Sequence, residues 1–334
     1  MHLFEFTRRL IDIESITPNE RAVGAFLWQE LTQLARRFEG HAERMPVEEG
    51  RDNIFVRFGD PIVVLSTHMD TVPPFIPSRE DADQIWGRGA CDTKGIIASM
   101  ITAAEEMLGK GRRNFGLLFV VGEERNSAGA LVAAGSPRGS KFLINGEPTE
   151  NRLALGSKGA LRFEIVAQGR MAHSAYPELG DSAIDKLLNA LERIRRIPLP
   201  VDATLGASTL NIGVIGGGVA PNVIAGEARA EIFIRVVGDV TATRKQVQAA
   251  AAPDADAREV LFIPAVRLGA LDGFPTTVVA FTTDIPSFGG AWGQPFLIGP
   301  GTIHVAHTSE ERIAKSELIE AVALYKRIVE TLSK

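Results

Sequence analysis

The sequence predicts an α/β protein in which a mixed-sheet domain is interrupted by an inserted, ferredoxin-like α+β domain. Its 334 residues exceed the ~250 residues at which a single hydrophobic core usually stops growing, which favours two domains. In the first half of the chain, short apolar runs alternate with helical patterns. Near residue 158 the pattern changes, and the predicted elements then follow the order β-α-β-β-α-β.

The first half has apolar residues at helical spacing in segments 3–13, 20–37 and 95–108. Short apolar runs typical of buried strands lie at 54–56, 62–65, 117–121 and 142–144. This alternation favours a sheet with helices on both faces. An apolar run at 295–298 and an amphipathic segment at 314–332 resume the pattern, so we predict one discontinuous domain from 1–157 and 269–334.

The inserted domain is predicted to span 158–268. Strand patterns occur at 160–167, 209–214, 224–237 and 260–268, and helical patterns at 181–197 and 241–251. This order is the split βαβ arrangement of ferredoxin-like domains. The segment between this domain and Gly299 is short and has no clear helical pattern.

Composition and charge exclude several classes of protein. A net charge of -5 without a basic cluster argues against a nucleic-acid partner. No apolar run approaches the ~18 residues of a membrane span, so we expect no membrane association. The single cysteine, Cys91, excludes an internal disulfide and fits a cytoplasmic protein.

Ionisable side chains follow three of the predicted strands. They are His68 and Asp70 after the first, Glu123 and Glu124 after the second, and Glu147 after the third. Because sites in open α/β sheets form at the carboxyl ends of strands, we expect these side chains to converge. His68 and Asp70 are two positions apart and point the same way, so the carboxylate can orient the imidazole.

Asp92 and His307 complete a set of imidazoles and carboxylates that suits two zinc ions. Two ions bridged by one carboxylate need about two further protein ligands each. One histidine and one carboxylate for each ion, plus a shared aspartate, use all of the set except one glutamate. That glutamate would remain free for proton transfer.

Seven stretches resemble the di-zinc metallopeptidase and deacylase family that includes acetylornithine deacetylase, succinyl-diaminopimelate desuccinylase, aminoacylase and a bacterial glutamate carboxypeptidase. They occur in the family's order through nearly the whole chain. The stretches are STHMDTVP, WGRGACDTKGIIA, VVGEERNSAGA, NGEPTEN, SKGALRFEIVAQGRMAHSAYP, GGGVAPNVIAGEA and GPGTIHVAHTSEERI.

The resemblance implies a role for each metal-site residue. Asp92 would bridge two divalent ions, zinc or alternatively cobalt. His68 and Glu147 would complete one site, and Glu124 and His307 the other. The peptide after the bridging aspartate is cis in this family, so we expect a cis bond between Asp92 and Thr93.

Further roles are implied outside the metal ligands. Glu123 would be the general base, and Asp70 would orient His68. In the inserted domain, which acts as a lid, His173 would stabilise the oxyanion, Arg235 would bind the substrate carboxylate and Asn222 would hydrogen-bond the substrate. The resemblance also makes a homodimer through this lid plausible.

Some residues have alternative interpretations. His304 competes with His307 as a ligand, and we assign it a supporting or structural role. Cys91 is interpreted as a packing residue, and Glu311 as a cap or pairing partner in the last helix.

The function implied is hydrolysis of the amide bond in an N-acylated amino acid by a zinc-bound hydroxide. A dipeptidase or carboxypeptidase, acting on a small peptide, would use the same machinery. The chain also resembles amino-group-carrier lysine and ornithine hydrolases more weakly. A catalytically inactive binding paralogue is disfavoured, because no expected ligand is missing.

Overall fold

The computed structural model describes residues 2–334, which form two compact units. The first unit comprises residues 2–155, Leu268–Thr277 and Thr283–Lys334. The second comprises Gly156–Arg267 and Val278–Thr282.

Eight α-helices are present in residues 2–334. They are α1 (Leu3–Ile11), α2 (Arg21–Arg37), α3 (Gly95–Gly109), α4 (Ala128–Ala134), α5 (Ala183–Arg195), α6 (Val240–Ala251), α7 (Ile285–Phe288) and α8 (Lys315–Leu332). The same residues contain eighteen strands. These are β1 (His41–Glu48), β2 (Arg51–Phe58), β3 (Val63–His68), β4 (Arg79–Glu80), β5 (Gln84–Trp86), β6 (Phe115–Val120), β7 (Phe142–Asn145), β8 (Leu153–Ser157), β9 (Gly159–Gln168), β10 (Val201–Asp202), β11 (Gly206–Ala207), β12 (Thr209–Gly217), β13 (Glu227–Val236), β14 (Asp256–Ile263), β15 (Val266–Arg267), β16 (Thr276–Val279), β17 (Gln294–Leu297) and β18 (Arg312–Ala314).

A six-stranded mixed sheet forms the centre of the first unit, in the order β1-β2-β6-β3-β7-β17. Strands β6, β3, β7 and β17 are parallel, whereas β1 and β2 pair antiparallel at one edge. All residues of β3 and β6 are buried, as expected for parallel strands that are covered on both faces. The carboxyl ends of the four parallel strands therefore lie side by side, and this row of strand ends is the edge of the sheet referred to below.

Both faces of this sheet are covered by helices. On one face, Val63 and Leu65 of β3 belong to an apolar cluster with residues of α1, α2, α3 and α8. Val64, between them, points to the other face and belongs to a cluster that includes Phe288 of α7 and Trp292. This alternation follows from the two-residue period of a strand.

The second unit contains an antiparallel four-stranded sheet in the order β12-β13-β9-β14. Its apolar side packs against α5 and α6, and alternate residues of β9 such as Leu161 and Phe163 are fully buried there. Helix α5 is capped at its N-terminus by Ser182, whose side chain accepts a hydrogen bond from the Asp185 amide. The predicted fold class is confirmed, including the β-α-β-β-α-β order of the inserted region.

Two sequence predictions about elements were wrong. The single strand predicted over 260–268 is two strands, β14 and β15, separated at Pro264. Proline has no amide hydrogen to donate and therefore interrupts strand pairing. The segment before Gly299, which lacked a helical pattern, contains the single-turn helix α7.

Within residues 2–334, no helix has both the length and the apolar character that a membrane crossing requires.

Candidate metal centre

The parallel strands of the first unit place ionisable side chains at one edge of the sheet. His68 is the last residue of β3, Glu123 and Glu124 follow β6, and Glu147 follows β7. His307 lies in the loop between β17 and β18, with a backbone φ of 64°. A left-handed conformation is uncommon for residues other than glycine, although histidine adopts it more readily than most.

Asp92 is presented by a tight loop that precedes α3. The loop begins at Gly89, whose φ of 89° favours glycine because a side chain there would be strained. A Cβ atom at this position would also lie 2.8 Å from the side chain of Lys94. The Asp92–Thr93 peptide is cis, as the sequence resemblance led us to expect.

The two carboxylate oxygens of Asp92 face different histidines. Oδ1 lies 3.0 Å from Nε2 of His68, and Oδ2 lies 3.2 Å from Nε2 of His307. His307 Nε2 is also 3.2 Å from the carboxylate of Glu124, whereas His68 Nε2 is 4.0 Å from Glu147 Oε1. The carboxylate of Asp92 therefore stands between two groups, each with one imidazole and one glutamate.

Potential ligand atoms of His68, Asp92 and Glu124 lie within 4.8 Å of one another, close enough to hold a metal ion. Imidazole and carboxylate are the nitrogen and oxygen donors that zinc and similar divalent ions accept. Glu147 Oε1 is buried and has no hydrogen-bond partner among the described residues. A buried acceptor without a partner is costly, and a cation would satisfy it.

Asp70 stabilises the turn after β6 that carries Glu123 and Glu124. Its carboxylate accepts hydrogen bonds from the backbone amides of Glu123 and Glu124, both at 3.1 Å, and from the Thr17 hydroxyl at 2.7 Å. Nδ1 of His68 lies 3.0 Å from the backbone oxygen of Asp70 and 3.5 Å from its carboxylate. Asp70 thus fixes the turn that carries both glutamates and contacts the far side of the His68 ring.

The electrostatics of the site reflect crowded, buried carboxylates. Burial raises the pKa of Glu123 and of Glu147 well above the usual value, although the nearby charge of His68 opposes this. Hydrogen bonds to Asp92 and Glu124 raise the pKa of His307 to about 10. Burial alone would raise the pKa of Asp92, but its hydrogen bonds with both histidines outweigh this and lower it. The site therefore favours additional positive charge.

The three predicted lid residues lie in the second unit. His173 is exposed and its Nδ1 accepts a hydrogen bond from the Ala175 amide at 3.1 Å. Asn222 is exposed, and its backbone oxygen accepts from the Ser174 amide. Arg235 is half-buried on β13, with its guanidinium 4.7 Å from the Phe233 ring centroid and a buried Nη1 that lacks a partner among the described residues.

Sequence reasoning missed two buried acids near the site. Asp284, directly before α7, is 0% exposed, and both of its carboxylate oxygens lack partners among the described residues. Burial raises the pKa of Asp284 to about 7, although the nearby Ser127 hydroxyl and the charge of His68 oppose this rise. The sequence signal that could have identified Asp284 is its place as an acid after the strand-like residues 276–279. The same pattern identified Glu123, Glu124 and Glu147.

Glu311 is the second acid that was missed. It was expected to cap or pair in the last helix, but α8 begins only at Lys315, and Glu311 is 1% exposed against the Asp92 loop. His304, the competing histidine, is exposed, and Cys91 is buried and free. The interpretation of Glu311 was therefore wrong, because the sequence does not reveal which of the adjacent acids Glu310 and Glu311 turns inward.

The chain is similar to curated proteins over nearly its whole length. A peptidase M20 domain-containing protein of Schizosaccharomyces pombe is 38% identical over 341 residues, which cover 98% of this chain and 84% of that protein. A probable carboxypeptidase of Neosartorya fischeri is 37% identical over 379 residues, covering 98% of this chain and 86% of that protein.

Two solved structures share the fold. A tripeptidase from Staphylococcus aureus superposes with a TM-score of 0.80 at 19% identity, covering 99% of this chain and 97% of that one. A dinuclear metal-binding peptidase of the M20 family from Bacillus subtilis gives a TM-score of 0.71 at 15% identity, covering 99% and 98%.

The family model described as peptidase family M20/M25/M40 matches residues 64–331, a span that includes every candidate metal ligand described above. Together with relatives above 30% identity, this match establishes the family. The chain belongs to peptidase family M20/M25/M40 and is a hydrolase that acts on peptide bonds.

Proposed function

We propose that the site holds two divalent metal ions, most suitably zinc with cobalt as an alternative, bridged by the carboxylate of Asp92. His68 and Glu147 would hold one ion, and Glu124 and His307 the other. The observation that carries this proposal is the pair of Asp92 oxygens, each about 3 Å from a different imidazole. The unpartnered Glu147 oxygen and the name of the dinuclear Bacillus subtilis peptidase also support it.

When bound, such ions polarise a carbonyl group and lower the pKa of water. Glu123 is proposed as the general base, because its carboxylate is not among the atoms that contact the two imidazoles. Its backbone amide donates a hydrogen bond to Asp70, which fixes the backbone that carries Glu123 where β6 ends. From there it can accept a proton from water and deliver it to the leaving amine.

We propose that the substrate is a small peptide with a free terminal carboxylate, cleaved as by a carboxypeptidase or dipeptidase. The fungal relative named as a probable carboxypeptidase supports this choice. Arg235 is proposed to bind the carboxylate, since a guanidinium matches it with two parallel hydrogen bonds and one donor nitrogen lacks a partner. His173 and Asn222 are proposed to stabilise the oxyanion and to hydrogen-bond the substrate.

An N-acylated amino acid is the second candidate substrate. It was the leading prediction from sequence, and it shares the scissile amide and the terminal carboxylate with a dipeptide. Only the group on the acyl side of the bond distinguishes the two classes. The weaker resemblance to amino-group-carrier hydrolases adds no distinguishing residue. The cytoplasmic location and the homodimer through the second unit stay predictions.

The test compares metal-free protein with protein reloaded with zinc or cobalt. We would assay a panel of dipeptides and tripeptides against acetyl and succinyl derivatives of the same amino acids. The proposal expects hydrolysis to return with the metal and to be faster for the peptides. A Glu49→Gln variant, altered at an exposed loop acid, serves as the control and should match the wild type. Reloaded protein that binds two ions and cleaves neither class would contradict the proposal.

A further inference from the structure

Glu311 has a buried carboxylate and links two segments of the metal centre that are far apart in sequence, the one that carries His307 and the one that carries Asp92. It lies four residues after His307 and immediately before β18. Strand β18 pairs with β5, and the Glu311 backbone oxygen accepts a hydrogen bond from the Gly87 amide at 3.1 Å. The chain that carries His307 is therefore fixed against the chain that leads into the Asp92 loop.

The side chain of Glu311 holds that loop directly. Its Oε1 accepts hydrogen bonds from the Gly89 amide at 2.9 Å and from the Asp92 amide at 3.3 Å. Its Oε2 accepts one from Nη1 of Arg88 at 2.5 Å. Arg88 is itself 2% exposed, so the pair is an internal ion pair, whose presence is by itself weak evidence for a stabilising role.

The amides of Gly89 and Asp92, which donate hydrogen bonds to Glu311, lie at the two ends of the turn that orients Asp92. Gly89 has a left-handed backbone, and Asp92 has φ −124° and ψ 81°, outside the helical region. A loop of this shape has no neighbouring strand or helix turn to satisfy those amides. The carboxylate of Glu311 takes that place, because a charged acceptor forms the stronger hydrogen bonds.

We propose that Glu311 is a positioning residue, which fixes the Asp92 backbone so that both carboxylate oxygens can face ligands of the two sites at once. Its polar contacts in the Asp92 loop are with the backbone amides of Gly89 and Asp92, the Arg88 guanidinium and the Cys91 thiol at 3.8 Å, and it contacts none of the five proposed ligands through that ligand's side chain. It therefore acts through the loop. This inference rests on the proposed two-metal function. Since Asp92 would be shared, loss of Glu311 weakens the binding of both ions together.

The experiment compares metal binding by wild type, Glu311→Gln and Glu310→Gln. Glu310 is the adjacent, exposed acid and provides the matched control. In Glu311→Gln, the side-chain NH₂ group faces donors in either orientation, the Arg88 guanidinium or the Gly89 and Asp92 amides, and the negative charge that accepts from all three is lost. We expect metal affinity to fall about ten- to a hundredfold, as for other residues that orient metal ligands. The control variant should bind like the wild type.

A spectroscopic measurement separates positioning from general stability. With cobalt at saturating concentration, the visible absorption of Glu311→Gln should differ from that of wild type, because the bridging carboxylate is no longer held in one geometry. A second variant, Arg88→Met with Glu311→Leu, replaces the ion pair by apolar side chains of similar size, a change that proteins often tolerate. It should fold, retain weak metal binding and show the same altered spectrum.

The outcomes distinguish this inference from the proposed function. A wild-type protein that binds no metal would contradict the two-metal function itself. The positioning role would be overturned, and the function left intact, if the wild type binds two ions and the two Glu311 variants, Glu311→Gln and Arg88→Met with Glu311→Leu, equal it in metal affinity and cobalt spectrum. Failure of both variants to fold would also overturn it, since Glu311 would then act on the whole fold.

Discussion

Replacing Asp70 with asparagine perturbs the support of the metal centre without replacing a proposed ligand. The carboxylate of Asp70 is fully buried and accepts from the amides of Glu123 and Glu124 and from the Thr17 hydroxyl. Asparagine keeps the shape but turns one oxygen into an NH₂ group. Whichever way the amide is oriented, one backbone N–H then faces another donor.

The magnitude follows from these contacts. Hydrogen bonds to charged groups contribute about 1.5–3 kcal/mol each, so losing one and weakening the second should cost about 2–4 kcal/mol in the free energy of unfolding. Because Asp70 also contacts the ring of His68 and holds the turn of Glu124, metal affinity should fall about ten- to a hundredfold.

The effect of Asp70 depends on pH in a defined direction. Burial alone would raise its pKa, but the hydrogen bonds from His68 and from its other partners outweigh this and lower the pKa below 3.8. A carboxyl with a lowered folded pKa contributes stability that is present above its unfolded pKa and is lost as pH falls through the folded pKa. The difference between wild type and Asp70→Asn should therefore be complete at pH 7 and shrink below pH 3.8.

The assay is urea unfolding of the metal-free proteins at pH 7, followed by circular dichroism. Asp60→Asn is the control, because the Asp60 side chain is exposed and such surface changes usually alter stability by no more than about 0.5 kcal/mol. If Asp70→Asn unfolds at the same urea concentration as this control, the supporting role assigned to Asp70 is wrong.

Three further predictions concern the base, the ligands and the core. Glu123→Gln should lower kcat by about 10²–10⁴-fold while both ions stay bound, and near-normal turnover in a metal-loaded sample would exclude Glu123 as the base. His307 has a pKa of about 10, and its proton must leave before a metal ion binds, so the affinity for metal should rise from pH 6 to pH 9. Calorimetry in two buffers should detect the released protons, and a metal affinity that does not change with pH would contradict this. Trp292→Ala should lower the free energy of unfolding by about 3–5 kcal/mol, because Trp292 is fully buried, packs against Phe55 and donates a hydrogen bond to the Ala133 oxygen at 2.8 Å. A loss below about 1 kcal/mol, the cost of a single methylene, would be inconsistent with that packing.

The central strands were predictable from sequence because they are buried on both faces. Continuous apolar runs at 62–65 and 117–121 correspond to β3 and β6, and the polar residues that follow them lie at the sheet edge. In contrast, β1 at His41–Glu48 was not predicted, since only Met45 of this strand is buried and its other side chains are mixed in polarity. An edge strand is specified by its neighbour more than by its own pattern.

The candidate site was predictable where a residue stands directly at a strand end, as with His68 and Glu147. The approach of His307 to Asp92 arises from residues far apart in sequence, and only the resemblance to a known family led to it. Asp284 and Glu311 were missed because their significance comes from burial against other acids and amides, which a linear pattern does not encode.

The most direct test of the account is anomalous diffraction from crystals of the protein loaded with zinc. We expect two peaks, one on each side of the Asp92 carboxylate and about 3.5–4 Å apart, as in other two-metal sites. His68 and Glu147 should contact one peak, and Glu124 and His307 the other. A single ion, or two ions that do not share Asp92, would contradict the bridged arrangement.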